Sequence, residues 1–390
     1  MRNVVIAAAA RTPIGRFKGM FADVRADHLG AAVLNDLLRR AGLPAEAVDD
    51  VVFGCVTQIG EQCGNIARTS LLGAGWPVHI PGMTVDRKCG SAEAAVHTAY
   101  AQIAAGIADV VVAGGAESMT RVPMGSNRDL HGKPFGWQLT SRFEMTSQGE
   151  AAERVADLWN ITRTDLDQFA VDSHARAAAA AEQGWFDREI VPIRIADGSE
   201  ARDGDASVVA SKDETIRRGT NVEKLATLKT SFRPDGKVTA GNSSQISDGA
   251  AALLLMAEDV ARERGIVPIA RIRAVAVVGS DPTLMLTGPV AATRKVLAMA
   301  GLKTSDIDLF EVNEAFASVP LMWLKELQVG HDRLNVNGGA VALGHPLGAS
   351  GARIMTTLVH ELDRRGARFG LQTICCAGGL ATATIVERVD

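Results

Sequence analysis

The sequence predicts an α/β fold made of two similar lobes with a charge-rich insertion. Apolar segments of strand length alternate with helical patterns of about a dozen residues, an arrangement typical of α/β units. An internal repeat indicates two copies: Ala41-Gly42-Leu43 recurs as Ala300-Gly301-Leu302 at an offset of 259, and the Ala-Gly-Gly triplet at 113–115 recurs at 377–379 at an offset of 264. We attribute the difference between the two offsets to a loop insertion.

The first copy is predicted to run as helix, strand, turn, helix and strand. Apolar residues recur at helical spacing from Ala26 to Arg40, and the apolar run Val51 to Phe53 follows as a strand. The strand Gly82 to Asp86 then turns through Cys89-Gly90 into an alanine-rich helix, Ser91 to Ala105. This order places a cysteine where a helix begins.

The second copy repeats this order. A helix from Val290 to Ala298 precedes a strand that ends at Val312. A short strand, Leu334 to Val336, turns through the glycine-rich loop NVNGGAVALGHPLGASG into the helix Ser350 to Arg364. The uncharged run Phe369 to Val386 is predicted as two buried strands joined by a turn, because polar residues and a Gly-Gly pair interrupt it.

The segment 118–247 belongs to neither copy. Two amphipathic helices are predicted in it, Ala151 to Trp159 and Thr164 to Gln183, the second with Thr164 as its N-cap three residues before Asp167. The polar stretch Pro192 to Lys237 is rich in arginine and lysine. Such a stretch is typical either of a solvated face or of a lid that meets a phosphorylated ligand.

Composition limits the classes of function. The balance of 41 basic and 45 acidic residues, net −4, provides no whole-chain attraction to nucleic acid or to a membrane surface. The short apolar run at the N-terminus is closed by Arg11 and Pro13, so it is predicted as a first strand and not as a signal peptide. We therefore expect a cytoplasmic protein that binds no nucleic acid and does not insert into a membrane.

Cysteine usage argues against a disulfide framework and against a metal site. The chain has an odd number of cysteines and no secretion signal, and their spacings match no zinc pattern. These residues are Cys55, Cys63, Cys89, Cys375 and Cys376. No metal is expected.

Four candidate catalytic residues are predicted near strand ends: Cys89, His345, Asn313 and Cys375. At a helix start, the dipole and free amides favour thiolate over thiol at Cys89. His345, held between glycines and Pro346, suits a general base. If the two copies pack about a twofold axis, both turns meet at its centre. The alternatives are buried cysteines, a structural histidine and two unrelated turns.

Taken together, the motifs resemble the thiolase family, whose members make or cleave β-ketoacyl-CoA thioesters. The resemblance covers nearly the whole chain and rests on the Cys89-Gly90-Ser91 turn, the NEAFA block that starts at Asn313, the GGAVALGHPLGASG block and the Cys375 turn. It implies an α/β thiolase fold, with two βαβαβαββ halves in a layered α-β-α-β-α core. The implied boundaries are 1–117 and 248–268 for the first half, 118–247 for an inserted loop domain, and 269–390 for the second half.

The resemblance also implies roles for individual residues. Cys89 is the acylated nucleophile, and His345 is the base that activates it. Asn313 holds a water that, with His345, forms an oxyanion hole for the thioester oxygen. The backbone amides of Cys89 and Ala377 form a second hole, and Cys375 shuttles the α-proton of acetyl-CoA. Coenzyme A is a co-substrate, no cofactor is permanently bound, and the chain forms a homodimer or homotetramer.

Substrate contacts are implied at Ser244, Arg217, Gln148 and Phe316. The chain also departs from the family pattern, with Ala92-Glu93 after the nucleophile turn, Ala377 in place of a glycine, and Ser147-Gln148-Gly149 in place of a His-Met-Gly run. These departures resemble branches that degrade longer or bulkier acyl chains, including sterol side chains.

Three functions remain open at this stage. The first is thiolytic cleavage of 3-ketoacyl-CoA to acetyl-CoA and a shortened acyl-CoA, in fatty-acid or sterol side-chain β-oxidation. The second is biosynthetic acetyl-CoA acetyltransferase activity, which makes acetoacetyl-CoA. The third is non-catalytic acyl-CoA or lipid binding. Retention of Cys89, His345 and Cys375 favours an enzyme, because a binding protein needs none of them.

Overall fold

Two copies of one strand arrangement form the central sheet. The computed structural model describes residues 2–128, 130–196, 199–200 and 207–389. The strands are β1 Val4–Arg11, β2 Gly15–Arg16, β3 Asp50–Gly54, β4 Gly82–Val85, β5 Val110–Ser118, β6 Ile193–Ala196, β7 Ser199–Glu200, β8 Ser207–Ala210, β9 Ser247–Ala257, β10 Ala270–Gly279, β11 Leu309–Val312, β12 Phe369–Cys376 and β13 Leu380–Arg388. The α-helices are α1 Ala26–Ala41, α2 Ile66–Gly73, α3 Ser91–Ala104, α4 Trp137–Thr140, α5 Gln148–Leu158, α6 Arg163–Glu182, α7 Val222–Ala226, α8 Glu258–Glu263, α9 Gly288–Ala300, α10 Ser318–Leu327, α11 Ala340–Leu343 and α12 Ser350–Arg365.

The strand order repeats between the halves. In the first half it is β4-β3-β5-β9-β1, where β3 is parallel to both β4 and β5, and β9 is antiparallel to β5 and β1. In the second half it is β11-β12-β13-β10, with the corresponding parallel and antiparallel pairs. A short antiparallel contact between β1 and β10 joins the two halves. The predicted duplication is therefore confirmed.

The prediction of a strand from Leu334 to Val336 is wrong. Leu334 makes one parallel bridge to Phe310, at the place that β4 occupies in the first half. Asn335 has a φ of 45°, which lies in the left-handed region, so the extended backbone conformation ends at this residue. Its side-chain amide donates to the Val312 carbonyl at 2.9 Å and accepts from the Val312 amide at 2.9 Å, so the side chain replaces the strand's own pairing.

The second sequence match of the repeat is also not a structural equivalence. Asp50 pairs with Val111 across β3 and β5, and Leu309 pairs with Gly370 across β11 and β12, so equivalent strands share the offset of the first match. The Ala-Gly-Gly triplet at 113–115 lies within β5, whereas the triplet at 377–379 lies in the turn after β12. No loop insertion is needed to relate these strands.

Helices and sheets alternate in five layers. Helices α1 and α2 cover the outer face of the first half, and α9 and α10 cover the outer face of the second. Helices α3 and α12 lie between the two halves, in a core that both halves share. Strand β9 is buried on both faces: Leu253 packs toward the middle layer and Leu254 toward α1. This layering confirms the predicted α-β-α-β-α fold.

The insertion rests on the second half through α5 and α6, which pack in the same core as α9 and α10. Helix α6 begins at Arg163, and its N-cap is Thr162, not Thr164. The Thr162 hydroxyl accepts from the Asp165 amide while the Asp165 carboxylate accepts from the Thr162 amide, a capping box that Thr164 and Asp167 do not form. Residues 197–198 and 201–206 of the predicted charge-rich stretch lie outside the described residues. Within the described ranges, no helix is long and apolar enough to cross a membrane.

Candidate active site

A pocket of about 160 Å³ lies where the two halves and the insertion meet. It brings together three of the four predicted catalytic residues and three of the four predicted substrate contacts. Its lining residues are Cys89, Met119, Met124, Gln148, Phe232, Ser243, Ser244, Gln245, Ile246, Leu286, Ala315, Phe316, His345, Leu347, Cys375 and Ala377. Segments spread along the whole chain therefore converge on one cavity.

Cys89 lies in a locked turn between β4 and α3. The Ser91 hydroxyl donates to the Lys88 carbonyl at 2.6 Å and accepts from the Arg87 amide at 2.8 Å. Lys88 adopts a φ of 52°, which redirects the chain so that the Cys89 side chain is buried in the pocket. The turn thus fixes the sulfur at the N-terminal end of α3, as the sequence predicted.

The Cys89 sulfur is a thiol, which corrects the expected thiolate. Burial raises the pKa of the Cys89 thiol to about 11. The backbone amides of Ala377 and Cys89 both donate toward the sulfur and oppose this rise, but desolvation is the larger effect. A helix start alone does not ionise this thiol, so the nucleophile needs a base.

His345 is a neutral imidazole with a defined tautomer. Its Nδ1 lies 2.6 Å from the Ser350 Oγ, and that hydroxyl donates to the Pro346 carbonyl at 2.8 Å. The hydroxyl can therefore only accept from Nδ1–H, which leaves the lone pair on Nε2. Burial, helped by the Arg353 guanidinium, lowers the pKa of His345 to about 3. Nε2 is thus available as a proton acceptor.

The backbone of the His345 loop is held from the insertion side. The Gln245 carbonyl accepts from the His345 amide at 3.2 Å, and the Gln245 amide group donates to the Val341 carbonyl at 3.1 Å. Gly344 has a φ of 85°, and a Cβ there would lie 2.2 Å from the Ser247 hydroxyl. Glycine is therefore required immediately before the histidine.

Asn313 lies directly against the histidine. Its Nδ2 is 3.3 Å from His345 Nε2, and its Oδ1 is buried without a hydrogen-bond partner among the described residues. The neighbouring Glu314 accepts from Asn335, from Ser173 and from a backbone amide of the His345 loop. This buried carboxyl links the asparagine segment to the loop.

Cys375 is buried at the end of β12, and burial raises the pKa of its thiol, so it carries its proton. Cys376 faces the opposite side of the strand, where a Cβ on Gly90 would lie 2.7 Å from its sulfur. In the turn that follows, Gly378 and Gly379 have positive φ values of 86° and 76°, whereas Ala377 does not. The Ala377 departure is therefore compatible with the turn.

The predicted substrate contacts divide between two sites. Gln148, Ser244 and Phe316 line the pocket, and the Phe316 ring meets Phe232 edge to face at 6.0 Å. Arg217 does not line it. It lines a neighbouring surface pocket of about 300 Å³, and its Nη2 lies 3.5 Å from the Gln245 Oε1.

Several pocket residues were not predicted from the sequence. Met119, Met124, Phe232, Leu286 and Leu347 form its apolar walls. Leu347 lies in the GGAVALGHPLGASG block, whereas the other four come from separate segments without a shared motif, so only the fold groups them with it. The structure explains Gly149, because a Cβ there would lie 2.2 Å from the Phe232 ring.

Comparisons with known proteins agree with this geometry. Family models for the thiolase N-terminal domain and the thiolase C-terminal domain match residues 4–259 and 266–388. The chain is 48% identical over 397 residues to a 3-ketoacyl-CoA thiolase of Klebsiella pneumoniae, covering 100% of both chains. It is 42% identical over 399 residues to the steroid 3-ketoacyl-CoA thiolase FadA6 of Mycobacterium tuberculosis, covering 100% of this chain and 95% of that one.

A solved structure is similar as well. The crystal structure of the Bacillus anthracis acetyl-CoA acetyltransferase has a TM-score of 0.91 and 41% identity, over 100% of this chain and 99% of that chain. Both domain models, full-length relatives and the five-layered fold agree. The chain therefore belongs to the thiolase family and is an acyltransferase.

Proposed function

We propose that the protein is a degradative 3-ketoacyl-CoA thiolase that transfers an acyl group to coenzyme A through a cysteine acyl-enzyme. The observation that carries the proposal is the convergence of Cys89, His345 and Cys375 on one pocket, with the amides of Cys89 and Ala377 directed at the Cys89 sulfur. A nucleophile, a neutral base, a second proton carrier and two fixed donors are the groups that this chemistry requires.

In the first step, the Cys89 sulfur attacks the 3-keto carbon and His345 Nε2 takes the thiol proton. Because the pKa of the Cys89 thiol is high and the pKa of the His345 imidazole is low, the proton moves as the sulfur–carbon bond forms. The amides of Cys89 and Ala377 donate to the oxyanion that develops. The bond between C2 and C3 then breaks, and its electron pair remains on the acetyl-CoA fragment.

In the second step, Cys375 gives its proton to C2, which releases acetyl-CoA. The protonated His345 and a water held by Asn313, whose Nδ2 lies 3.3 Å from His345 Nε2, both donate to the thioester oxygen while the enolate exists. The Cys375 thiolate then takes the proton of the coenzyme A thiol, whose sulfur attacks the acyl carbon on Cys89. The bond between that carbon and the Cys89 sulfur breaks, the protonated His345 returns its proton to the Cys89 sulfur, and the shortened acyl-CoA leaves. Coenzyme A is a co-substrate in this scheme, and no other cofactor takes part.

The acyl chain of the substrate is proposed to be uncharged and of short to medium length. The walls are apolar, and none of the described residues that line the pocket carries a full charge. A carboxylate at the far end of the acyl chain would be buried without a partner, which is costly. The volume of about 160 Å³ suits a short chain better than a steroid nucleus.

The nucleotide part of coenzyme A is proposed to lie in the neighbouring pocket. Arg217 and Arg218 line it, with His174 and Thr220. Gln245 lines the catalytic pocket and contacts Arg217, so the two pockets are adjacent. Guanidinium groups suit phosphate oxygens. The pantetheine arm then passes Ser244, Gln148 and Phe316.

We also propose that the protein forms a homodimer or homotetramer and that it is cytoplasmic. Strand β4 is at the edge of the sheet, and Met83 on it is partly exposed. Phe135, Trp137 and Phe143 of the insertion are exposed apolar side chains. Exposed apolar surface of this kind is typical of subunit contacts. A reducing compartment suits an enzyme whose catalytic thiols must stay unpaired.

A substrate panel tests the function. Purified enzyme is assayed for coenzyme A-dependent cleavage of 3-ketoacyl-CoAs from acetoacetyl to long-chain and steroid-sized acyl groups, together with one ω-carboxylated substrate. We expect kcat/KM to be highest for short and medium uncharged chains. Reactions without coenzyme A serve as the control. If no 3-ketoacyl-CoA is cleaved, the proposed function is wrong.

Acetyl-CoA acetyltransferase activity is a second candidate, favoured by the similarity to the solved Bacillus anthracis enzyme of that name. The same residues catalyse the reverse condensation. Measuring kcat for acetoacetyl-CoA cleavage and for acetyl-CoA condensation in one buffer distinguishes the two. The degradative proposal predicts that medium-chain substrates are cleaved at least as well as acetoacetyl-CoA.

A further inference from the structure

A buried carboxyl group lies one helical turn beyond Cys89 and has no part in the mechanism above. Glu93, in the first turn of α3, is fully buried. Its two carboxylate oxygens accept from the hydroxyls of Thr382 and Thr384, each at 2.6 Å. Among the described residues no arginine or lysine pairs with it. The basic group that faces it is His97, whose Nε2 lies 3.8 Å away.

These hydrogen bonds cross between the two halves of the protein. Glu93 belongs to the first half, whereas Thr382 and Thr384 lie on β13 of the second half. Strand β13 pairs with β12, and Thr382 stands opposite Ile374, next to Cys375. The carboxylate therefore ties the helix that begins at the nucleophile to the hairpin that carries the second cysteine.

The nucleophile turn and the hairpin are in close contact at this point. A Cβ on Gly90 would lie 2.7 Å from the Cys376 sulfur and 3.0 Å from the Thr382 hydroxyl. The amides of Cys89 and Ala377 both point to the Cys89 sulfur, although one belongs to each half. Their convergence depends on how the helix and the hairpin are held together.

We propose that Glu93 is a positioning residue for the acyl transfer described above: through Thr382 and Thr384 it keeps the Ala377 amide aligned with the Cys89 amide on one acyl oxygen. This inference rests on the proposed function. A displacement of one donor by even a fraction of its hydrogen-bond length weakens oxyanion stabilisation, because such donors act only when aimed in advance.

Because Glu93 is titratable, its positioning role should make the acylation rate depend on pH. Burial raises the pKa of Glu93 to about 7, although the hydroxyls of Thr382 and Thr384 and the Gln372 side chain oppose the rise. The ionised carboxylate accepts from both threonines. The protonated form gives up one acceptor to become a donor, so acylation slows as the pH falls through about 7.

The other titratable groups around Glu93 do not change charge in this range. Burial lowers the pKa of His97 to about 3, with a smaller contribution from the Arg87 cation, so His97 is neutral. Burial raises the pKa of Cys376 well above its usual value, so its thiol is neutral too. His345, with a pKa of about 3, is likewise already neutral. Burial also raises the pKa of Glu117, which interacts with the Cys89 thiol, and of Glu314, next to Asn313, so the assignment of a rate change near pH 7 to Glu93 rests on the loss of that change in Glu93→Gln.

Single-turnover acylation of Cys89 by a 3-ketoacyl-CoA, followed by rapid quench and mass spectrometry from pH 5.5 to 9, tests the proposal. We expect the wild-type rate to rise through about pH 7. Glu93→Gln keeps the shape and one acceptor, so we expect it to acylate without that rise. Glu93→Leu should acylate about tenfold or more slowly at every pH, with KM changed by no more than about twofold.

Further variants separate positioning from general destabilisation. Thr382→Val should slow acylation as Glu93→Leu does, whereas Thr382→Ser, which keeps the hydroxyl, should restore it. Val96→Ala removes buried volume from the same helix and should lower Tm while leaving the pH profile unchanged. Wild-type acylation rates in Glu93→Leu, or a rise near pH 7 that persists in Glu93→Gln, would overturn the inference. A wild type that never acylates would instead overturn the proposed function.

Discussion

The Nδ1 of His345 lies 2.6 Å from the Oγ of Ser350, the first residue of α12 and only five positions later in the chain. The Ser350 hydroxyl donates its own proton to the Pro346 carbonyl, so it can only accept a hydrogen bond from the imidazole. One short hydrogen bond thus determines which nitrogen carries the proton. The other nitrogen, Nε2, is left as the base.

Ser350→Ala should reduce kcat about tenfold to a hundredfold, because it removes a hydrogen bond that stabilises the imidazolium and fixes the tautomer. KM should change little, because Ser350 does not line the pocket. Steady-state thiolysis measures both constants. Thr356→Val on the same helix is the matched control, since that buried hydroxyl has no hydrogen-bond partner among the described residues. Equal kcat values in Ser350→Ala and wild type would contradict the tautomer argument.

Asn313→Ala should lower kcat by about two to three orders of magnitude, the usual effect of losing one oxyanion donor. The donor in question is the water that Asn313 is proposed to hold through its side-chain amide, whose Nδ2 lies 3.3 Å from His345 Nε2. Because it acts on the enolate of acetyl-CoA, exchange of the acetyl-CoA α-protons should slow in proportion. NMR of deuterium exchange follows this step. Normal exchange in Asn313→Ala would remove the residue from the mechanism.

The rate at which iodoacetamide alkylates Cys89 should increase as the pH rises. Burial raises the pKa of its thiol to about 11, so the thiolate fraction is small at pH 7 and grows about tenfold per pH unit up to pH 9. The iodoacetamide reaction rate of the Cys89 peptide, measured by mass spectrometry, tests this sign. The Cys89→Ser protein gives the background from the other cysteines. A rate that is flat between pH 6 and 9 would indicate a preformed thiolate and imidazolium pair.

Met124→Ala should shift chain-length preference toward longer acyl groups. Met124 lines the pocket and is 49% exposed, so it forms part of the mouth and its loss costs little stability. We expect the ratio of kcat/KM for a long over a short 3-ketoacyl-CoA to rise about tenfold. Met299→Ala, an exposed methionine on α9, is the control. An unchanged ratio would place the acyl chain elsewhere.

Local sequence signals predicted much of the fold. Helix α12 begins at Ser350 as expected, and the final apolar run forms β12 and β13. The predictions fail where side chains replace backbone pairing. The side-chain amide of Asn335 hydrogen-bonds to the Val312 backbone, so the strand-like segment that begins at Leu334 forms only a single β-bridge, to Phe310. The N-cap of α6 is Thr162, because capping depends on a reciprocal bond to Asp165.

The candidate site was predictable only in part. Cys89, His345 and Cys375 share motifs and lie in the pocket as expected. The ionisation state of Cys89 was not predictable, because desolvation depends on neighbours hundreds of positions away. Apolar wall residues such as Met119 and Phe232 have no sequence signature. Glu93 stood out in the sequence as a departure, but only the fold shows that it meets Thr382.

The central claim is that Cys89 carries the acyl group and Cys375 moves the proton. Intact-protein and peptide mass spectrometry after addition of a 3-ketoacyl-CoA without coenzyme A tests it most directly. We predict an acyl adduct on Cys89 in wild type, none in Cys89→Ser, and, in Cys375→Ala, acylation of Cys89 by an acyl-CoA without exchange of acetyl-CoA α-protons. An active wild-type enzyme with unmodified Cys89, or an adduct on another residue, would contradict the account.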